Sequence, residues 1–334
     1  MDGDKKRIAW IDLAKGICIV LVVLHHVASV IGVSYPFDVQ ARGFRMPLYF
    51  ILSGLFFKQY EGFVGFVKRK TNKLLIPFLF FLLATSVLVY WVLILPEWNR
   101  LYTFVFKSFL RDRIILFNEP IWFLLSLFEV NLLFYLVQWL ADALSSRYRT
   151  IIVLVLSLLL GGVGLALAVY HQQLPIYIDS ALSAMPLFAF GWWLFKHTSF
   201  LSSPVSLSRD IPLIAVCAIV LWFLAVPVKW INNDFSREAV PVVYICGIAG
   251  TMMVLTLSKV LKHVPLLSYW GRYSIMILCT HYPIATAFNL LLGKITAGVP
   301  LVIAVLILTM LCCHVLIPLM RRYLPHVTAQ KNVI

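Results

Sequence analysis

Apolar residues in this chain come in long runs, not in alternation. Ten stretches are dominated by Leu, Ile, Val, Phe and Ala: residues 8–31, 44–60, 74–95, 120–141, 150–170, 179–197, 211–229, 239–258, 272–291 and 298–320. A helix rising about 1.5 Å per residue needs about 20 such residues to cross roughly 30 Å of hydrocarbon, and most of the runs approach or exceed that length. The run at 44–60 is the shortest and contains Pro47 and Gly54. None has the period-two pattern of a membrane barrel, and backbone in lipid must bond within itself, so helices are expected throughout. The predicted class is all-α: a polytopic membrane helical bundle of about ten transmembrane helices, one domain over residues 1–334, with no internal repeat. Between Asn99 and Phe117, Arg100, Lys107, Arg111 and Arg113 alternate with aromatics, a pattern suited to lying along the interface.

Composition supports a membrane protein. With 62% hydrophobic and 13% charged residues and a mean hydropathy of +0.93, the chain has too little polar surface for a soluble domain of 334 residues. The net charge of +14 then reads as positive charge gathered in cytoplasmic loops, not as a nucleic-acid surface. Ten spans put both termini on one side. If that side is the cytoplasm, most of the 28 basic residues fall inside, among them Lys5, Lys6, Arg7, Lys68, Arg69, Lys70, Lys73, Arg321 and Arg322. The expectation is N-in, C-in, in the inner (cytoplasmic) cell membrane. The start MDGDKKR enters the first span without a small-residue cleavage site, so no removable signal peptide is expected. All six cysteines fall inside apolar runs without metal-ligand spacing, and no phosphate loop, HExxH or GxSxG is present, so no metal is assigned.

The first span, WIDLAKGICIVLVVLHHVASV (10–30), carries Asp12, Lys15, His25 and His26 into a region bound for lipid. At about 100° per residue, Lys15 and His26 lie about 20° apart around the helix and roughly 16 Å apart along it. Asp12 is about 40° from His26, whereas His25 points about 80° away from Lys15. The spacing selects His26 over His25 for a polar stripe. Ionisable groups inside a bilayer are costly and face a bundle interior or a water-filled cavity. A buried helix–helix contact with Lys15 snorkelling to the interface is the plain alternative.

This run resembles the opening of the acyltransferase-3 family of integral-membrane acyltransferases, in particular its fucose 4-O-acetylase-like branch. The family places a basic residue before the histidine as Lys15 stands before His26. FRMPLYFILSGLFF (44–57), KRKTNKLLIPFLFF (68–81), NEPIWFLLSLFEVNLLFY (118–135) and WGRYSIMILCTHYPI (270–284) resemble four further family stretches in the right order. IDSALSAMPLFAFGWWL (178–194) does so more weakly. There are departures. His25 stands where glycine is common, Arg45 where the branch often has histidine, and Lys70 and Lys73 where arginines are usual, which keeps charge but loses bidentate phosphate geometry.

The resemblance implies O-acyl transfer, most often O-acetyl transfer, from a cytoplasmic acyl-coenzyme A such as acetyl-CoA to a hydroxyl of an extracytoplasmic polysaccharide or lipid-linked sugar. The coenzyme would be a co-substrate, with no tightly bound cofactor. On that reading His26 is the general base or an acyl-carrying nucleophile. Asp12 and Lys15 act beside it. Lys15, Arg69, Lys70, Lys73 and Arg272 are candidates for the coenzyme phosphates. Arg45, Asn118, Glu119, Trp122, Asp179 and His281 are candidates for the acceptor. Each has a plainer alternative: positive-inside charge for the lysines, an interface belt for Trp122, a core histidine for His281. The rival from another class is a proton-coupled transporter using Asp12, Lys15, His26 and His281 as a relay. The absence of an inverted repeat argues against it.

Overall fold

The structure is a computed structural model that describes residues 8–60, 62–93 and 117–334, with backbone only for 89–93. Apart from Phe117, the segment expected along the interface lies outside the described residues. The helices are α1 (Ala9–Ile31), α2 (Asp38–Leu55), α3 (Gly62–Lys70), α4 (Ile76–Leu93), α5 (Trp122–Leu144), α6 (Arg149–Val169), α7 (Ile178–His197), α8 (Leu207–Leu224), α9 (Val243–Leu261), α10 (Pro265–Arg272), α11 (Ser274–Leu292) and α12 (Gly298–Tyr323). The sheet among the described residues is one antiparallel pair, Val228–Lys229 against Asp234–Phe235. Nine helical segments among the described residues are long and apolar enough to cross a membrane. The protein is an all-α, multi-pass membrane protein.

The tenth expected span is α2. It begins at Asp38, six residues before the apolar run, and carries Arg42 and Arg45, which keeps it outside the nine. The expected span at 211–229 is α8, which stops at Leu224. The residue before a proline is pushed out of the helical region, and Val226–Pro227 lies just beyond. The expected start of the ninth span at Arg272 is instead the last residue of the separate short helix α10. Tyr273 leaves helical geometry (φ −113°, ψ 26°) between α10 and α11.

Two local devices fix helix ends and register. Gly32 adopts a left-handed conformation (φ 79°) after α1, and the Val33 N–H returns to the Ala28 carbonyl at 2.9 Å, closing the helix. Between α3 and α4, Thr71–Leu75 forms a π-turn, with the Ile76 N–H bonding to Thr71 O. Pro77 lacks the N–H that would bond to the Lys73 carbonyl, and the widened turn accommodates its ring.

Cα packing divides the chain into two compact units, each discontinuous in sequence. The first is Met1–Leu48, Ser202–Ala225 and Ile245–Ile317; the second is Tyr49–Leu201, Val226–Tyr244 and Pro318–Ile334. In the first unit α1 lies backbone to backbone against α10. A Cβ on Gly16 would stand 1.9 Å from the Leu267 carbonyl oxygen, and one on Gly271 would stand 1.7 Å from that of Asp12. Small residues at such crossings let helices approach where lipid supplies no hydrophobic drive. In the second unit the end of α2 crosses α7 in the same way, with Gly54 against Phe188 O and Gly191 against Ile51 O. Phe57, Phe66, Phe134, Phe188 and Trp192 fill the space beside that crossing.

Candidate functional site

Within the first unit, α1 runs unbroken from Ala9 to Ile31, so its polar stripe keeps helical spacing. At the end nearer the N-terminus, Asp12 is 8% exposed and lines a cavity of about 330 Å³ with Ala9, His263, Pro265, Ser268, Tyr269 and Arg272. Lys15 is half-buried one turn further on.

The two adjacent histidines face different partners. His25 donates from Nδ1 to Asp38 Oδ1 at 2.9 Å, and Asp38 also holds Arg42 one helical turn along α2. His26 is half-buried and makes no hydrogen bond or ion pair to a described residue. Its ring packs against His281 (centroids 5.3 Å apart), Tyr282 (5.5 Å) and His25 (5.2 Å). Arg45 is 6% exposed and donates from Nη1 to the Leu21 carbonyl at 3.1 Å, while the Cys18 thiol donates to the Arg45 carbonyl at 3.3 Å. Arg45 is thus fastened to α1 one turn before the histidines. His281, on α11, is fully buried, and its Nδ1 donates to the Ile277 carbonyl at 2.8 Å.

The first unit therefore gathers Asp12, Lys15, His26, Arg45, Arg272 and His281. The second holds the remaining candidates. Arg69 stands over the Tyr60 ring at 4.1 Å and Lys70 over the Phe66 ring at 5.5 Å. Lys73 donates to the Ala329 carbonyl at 2.5 Å. Asn118 is buried and donates to Thr85 Oγ1 at 3.4 Å. Glu119 is half-buried, and Trp122 lies beside Tyr177 at 5.7 Å. Asp179 is fully buried in the first turn of α7, two residues after the pair Ile176 (φ 52°) and Tyr177 (φ 68°). Two consecutive left-handed non-glycine residues, one β-branched, are costly, and such strain concentrates where a side chain must be aimed.

A model of an acyltransferase domain, that of the acyltransferase-3 family, matches residues 8–317. The chain belongs to the acyltransferase-3 family. Its members are membrane-bound acyltransferases, and the protein is one; the transporter left open by the sequence has no such support. No curated protein and no solved structure matches the chain.

Sequence reasoning passed over four residues around these candidates. Asp38 and Arg42 hold His25, and their spacing of four was visible as a helical ion pair. Tyr282 follows His281 directly. Asn72, inside the basic run, donates to Ile334 O at 2.7 Å and accepts from the Val333 and Ile334 N–H groups at 2.5 and 3.1 Å. Nothing local in the sequence announces that last contact.

Proposed function

We propose that this acyltransferase moves an acyl group, acetyl in the first instance, from a cytoplasmic acyl-CoA to a sugar hydroxyl, as in the fucose 4-O-acetylase-like branch. The acceptor is an extracytoplasmic polysaccharide or its lipid-linked precursor, and the protein works in the inner cell membrane. The observation that carries the reading is His26: a half-buried imidazole within a span, with no hydrogen bond or ion pair to any described residue. A neutral imidazole has one bare nitrogen with which to take the proton of an attacking hydroxyl.

In the step proposed, the acceptor hydroxyl attacks the thioester carbonyl carbon while His26 takes the hydroxyl proton. The carbon–sulfur bond then breaks, and the proton passes to the departing thiolate, leaving an ester and free coenzyme A. Asp12 and Lys15 adjust the charge of the same helix face. Arg272, on the 330 Å³ cavity with Asp12, is a phosphate partner for part of the coenzyme. Lys15, Arg69, Lys70 and Lys73 are further phosphate partners, as point charges or stacked cations. We assign Arg45, Asn118, Glu119, Trp122 and Asp179 to the acceptor; His281, fully buried, belongs beside the His26 ring.

The test is thiol release from acetyl-CoA by purified protein in nanodiscs, wild type beside His26→Ala, with donor binding measured separately. The expected result is donor binding by both and thiol release by the wild type alone. Equal release by a folded His26→Ala variant would remove His26 from the chemistry.

A further inference from the structure

His281 is fully buried, yet its ring is only half used. A carbonyl can only accept, so the 2.8 Å contact to Ile277 O places the hydrogen on Nδ1. A neutral His281 then carries a bare lone pair on Nε2, and that atom is buried without a partner among the described residues. A buried acceptor left unmade is expensive and calls for an explanation. Two polar hydrogens on α11 are already spent: the Thr280 hydroxyl donates to Met276 O at 2.8 Å and the Thr286 hydroxyl to Tyr282 O at 2.9 Å.

Among the described residues, the ring set against His281 is that of His26. The 5.3 Å between centroids equals one ring radius, about 3 Å of N–H···N separation and a second ring radius, so the two rings can meet edge to edge through one hydrogen bond. The 49° between their planes does not prevent an edge-on bond. His25 is the competing acceptor at 5.2 Å, but its side chain is 22% exposed and is already engaged with Asp38, so water can satisfy its remaining nitrogen. His281 Nε2 has no such recourse.

We propose that His281 is a positioning residue for His26: its bare Nε2 takes the His26 N–H, sets the tautomer of that ring, and leaves the opposite nitrogen of His26 bare for the reactant. The Ile277 carbonyl, His281 and His26 then form a chain in which each ring's hydrogen is fixed by the next acceptor. When His26 takes the hydroxyl proton, the same bond steadies the imidazolium. This rests on His26 being the base of the transfer proposed above.

Solid-state ¹⁵N spectra of histidine-labelled protein in nanodiscs report which nitrogen of each ring is protonated, without any turnover. The expected spectrum has His281 protonated on Nδ1 and His26 in one tautomer, bonded nitrogen to nitrogen. His281→Leu should give His26 two tautomers and lower kcat for thiol release from acetyl-CoA about 10- to 100-fold, by analogy with the partners that orient metal-bound histidines, with KM unchanged. His281→Gln, whose Oε1 can accept the same N–H, should keep one tautomer and most of kcat. Thermal melting of both variants shows whether they fold. His281 protonated on Nε2, a His26 tautomer unchanged by His281→Leu, or equal loss in the Gln and Leu variants would each overturn the proposal. Thiol release undiminished by His26→Ala would sink the function proposed above, while the spectra of the resting protein would still decide the pairing.

Discussion

Replacing Gly271 by alanine adds one methyl group where α10 meets α1. The new Cβ would lie 1.7 Å from the Asp12 carbonyl oxygen and 2.5 Å from the Gly16 nitrogen, and real Cβ atoms essentially never come under 3.0 Å. Both obstructing atoms are backbone, so no rotamer change relieves them. Restoring 3.0 Å along the closer line means parting the two helices by about 1.3 Å, which also moves Asp12 relative to the cavity it shares with Arg272. Overpacking of this kind costs about 1–3 kcal/mol, and the upper end is expected because backbone must move. Gly162→Ala supplies the control. It lies inside α6 and its Cβ meets nothing within 4 Å, so it should gain about 0.5–1 kcal/mol from helix propensity. Two identical chemical changes are therefore expected to shift stability in opposite directions. Thermal melting followed by size-exclusion fluorescence in detergent measures both. A Gly271→Ala protein that melts at or above the wild type would refute the close crossing of α1 and α10.

Three further outcomes are expected. Asp38→Asn removes the charge that holds both His25 and Arg42 and should destabilise by about 1–3 kcal/mol in the same melt; an unchanged melt would show the cluster to be ornamental to stability. Asn72→Leu removes the hydrogen bonds that hold Val333 and Ile334, so hydrogen exchange in residues 324–334 should rise while the spans stay protected. Unaltered exchange would mean the tail is held by other contacts. Changing Lys70 and Lys73 together to Gln should raise the apparent KM for acetyl-CoA; loss of turnover at constant KM would place them elsewhere in the mechanism.

Helix was legible wherever length and apolarity acted alone, because a run near 20 residues has few other ways to satisfy its backbone in lipid. The features that needed partners were not. The start of α2 at Asp38 depends on the pairing of Asp38 with Arg42, which makes a polar stretch helical ahead of its apolar run. The π-turn at Thr71–Leu75 is a response to Pro77, and a proline announces a disturbance without saying which kind. Arg272 reads as the head of the ninth span because nothing in GRYSI marks Tyr273 as the break. Among the site candidates, the angular argument along α1 needed only helix geometry. The tautomer of His281 needed a carbonyl four residues back in a built helix.

The ionisable groups of α1 differ in what offsets their presence in a span. Asp12 sits at the helix end on a cavity that also holds Arg272 and His263. His25 has Asp38, which in turn has Arg42, so its hydrogen-bonding cost is met within the first unit. His26 makes no hydrogen bond or ion pair to a described residue, and its ring stands against three others, one of them the buried His281 with an unused lone pair. Structure alone does not require an imidazole there: a leucine or phenylalanine would pack against Tyr282 without any desolvation cost. A side chain that is costly, locally uncompensated and set beside a second such side chain is what a proton-transfer site requires, since a fully paired group has no free nitrogen to offer. The distinction between His25 and His26 therefore rests on leftover hydrogen-bonding capacity, and that is why the tautomer of His26 is the property through which His281 would act.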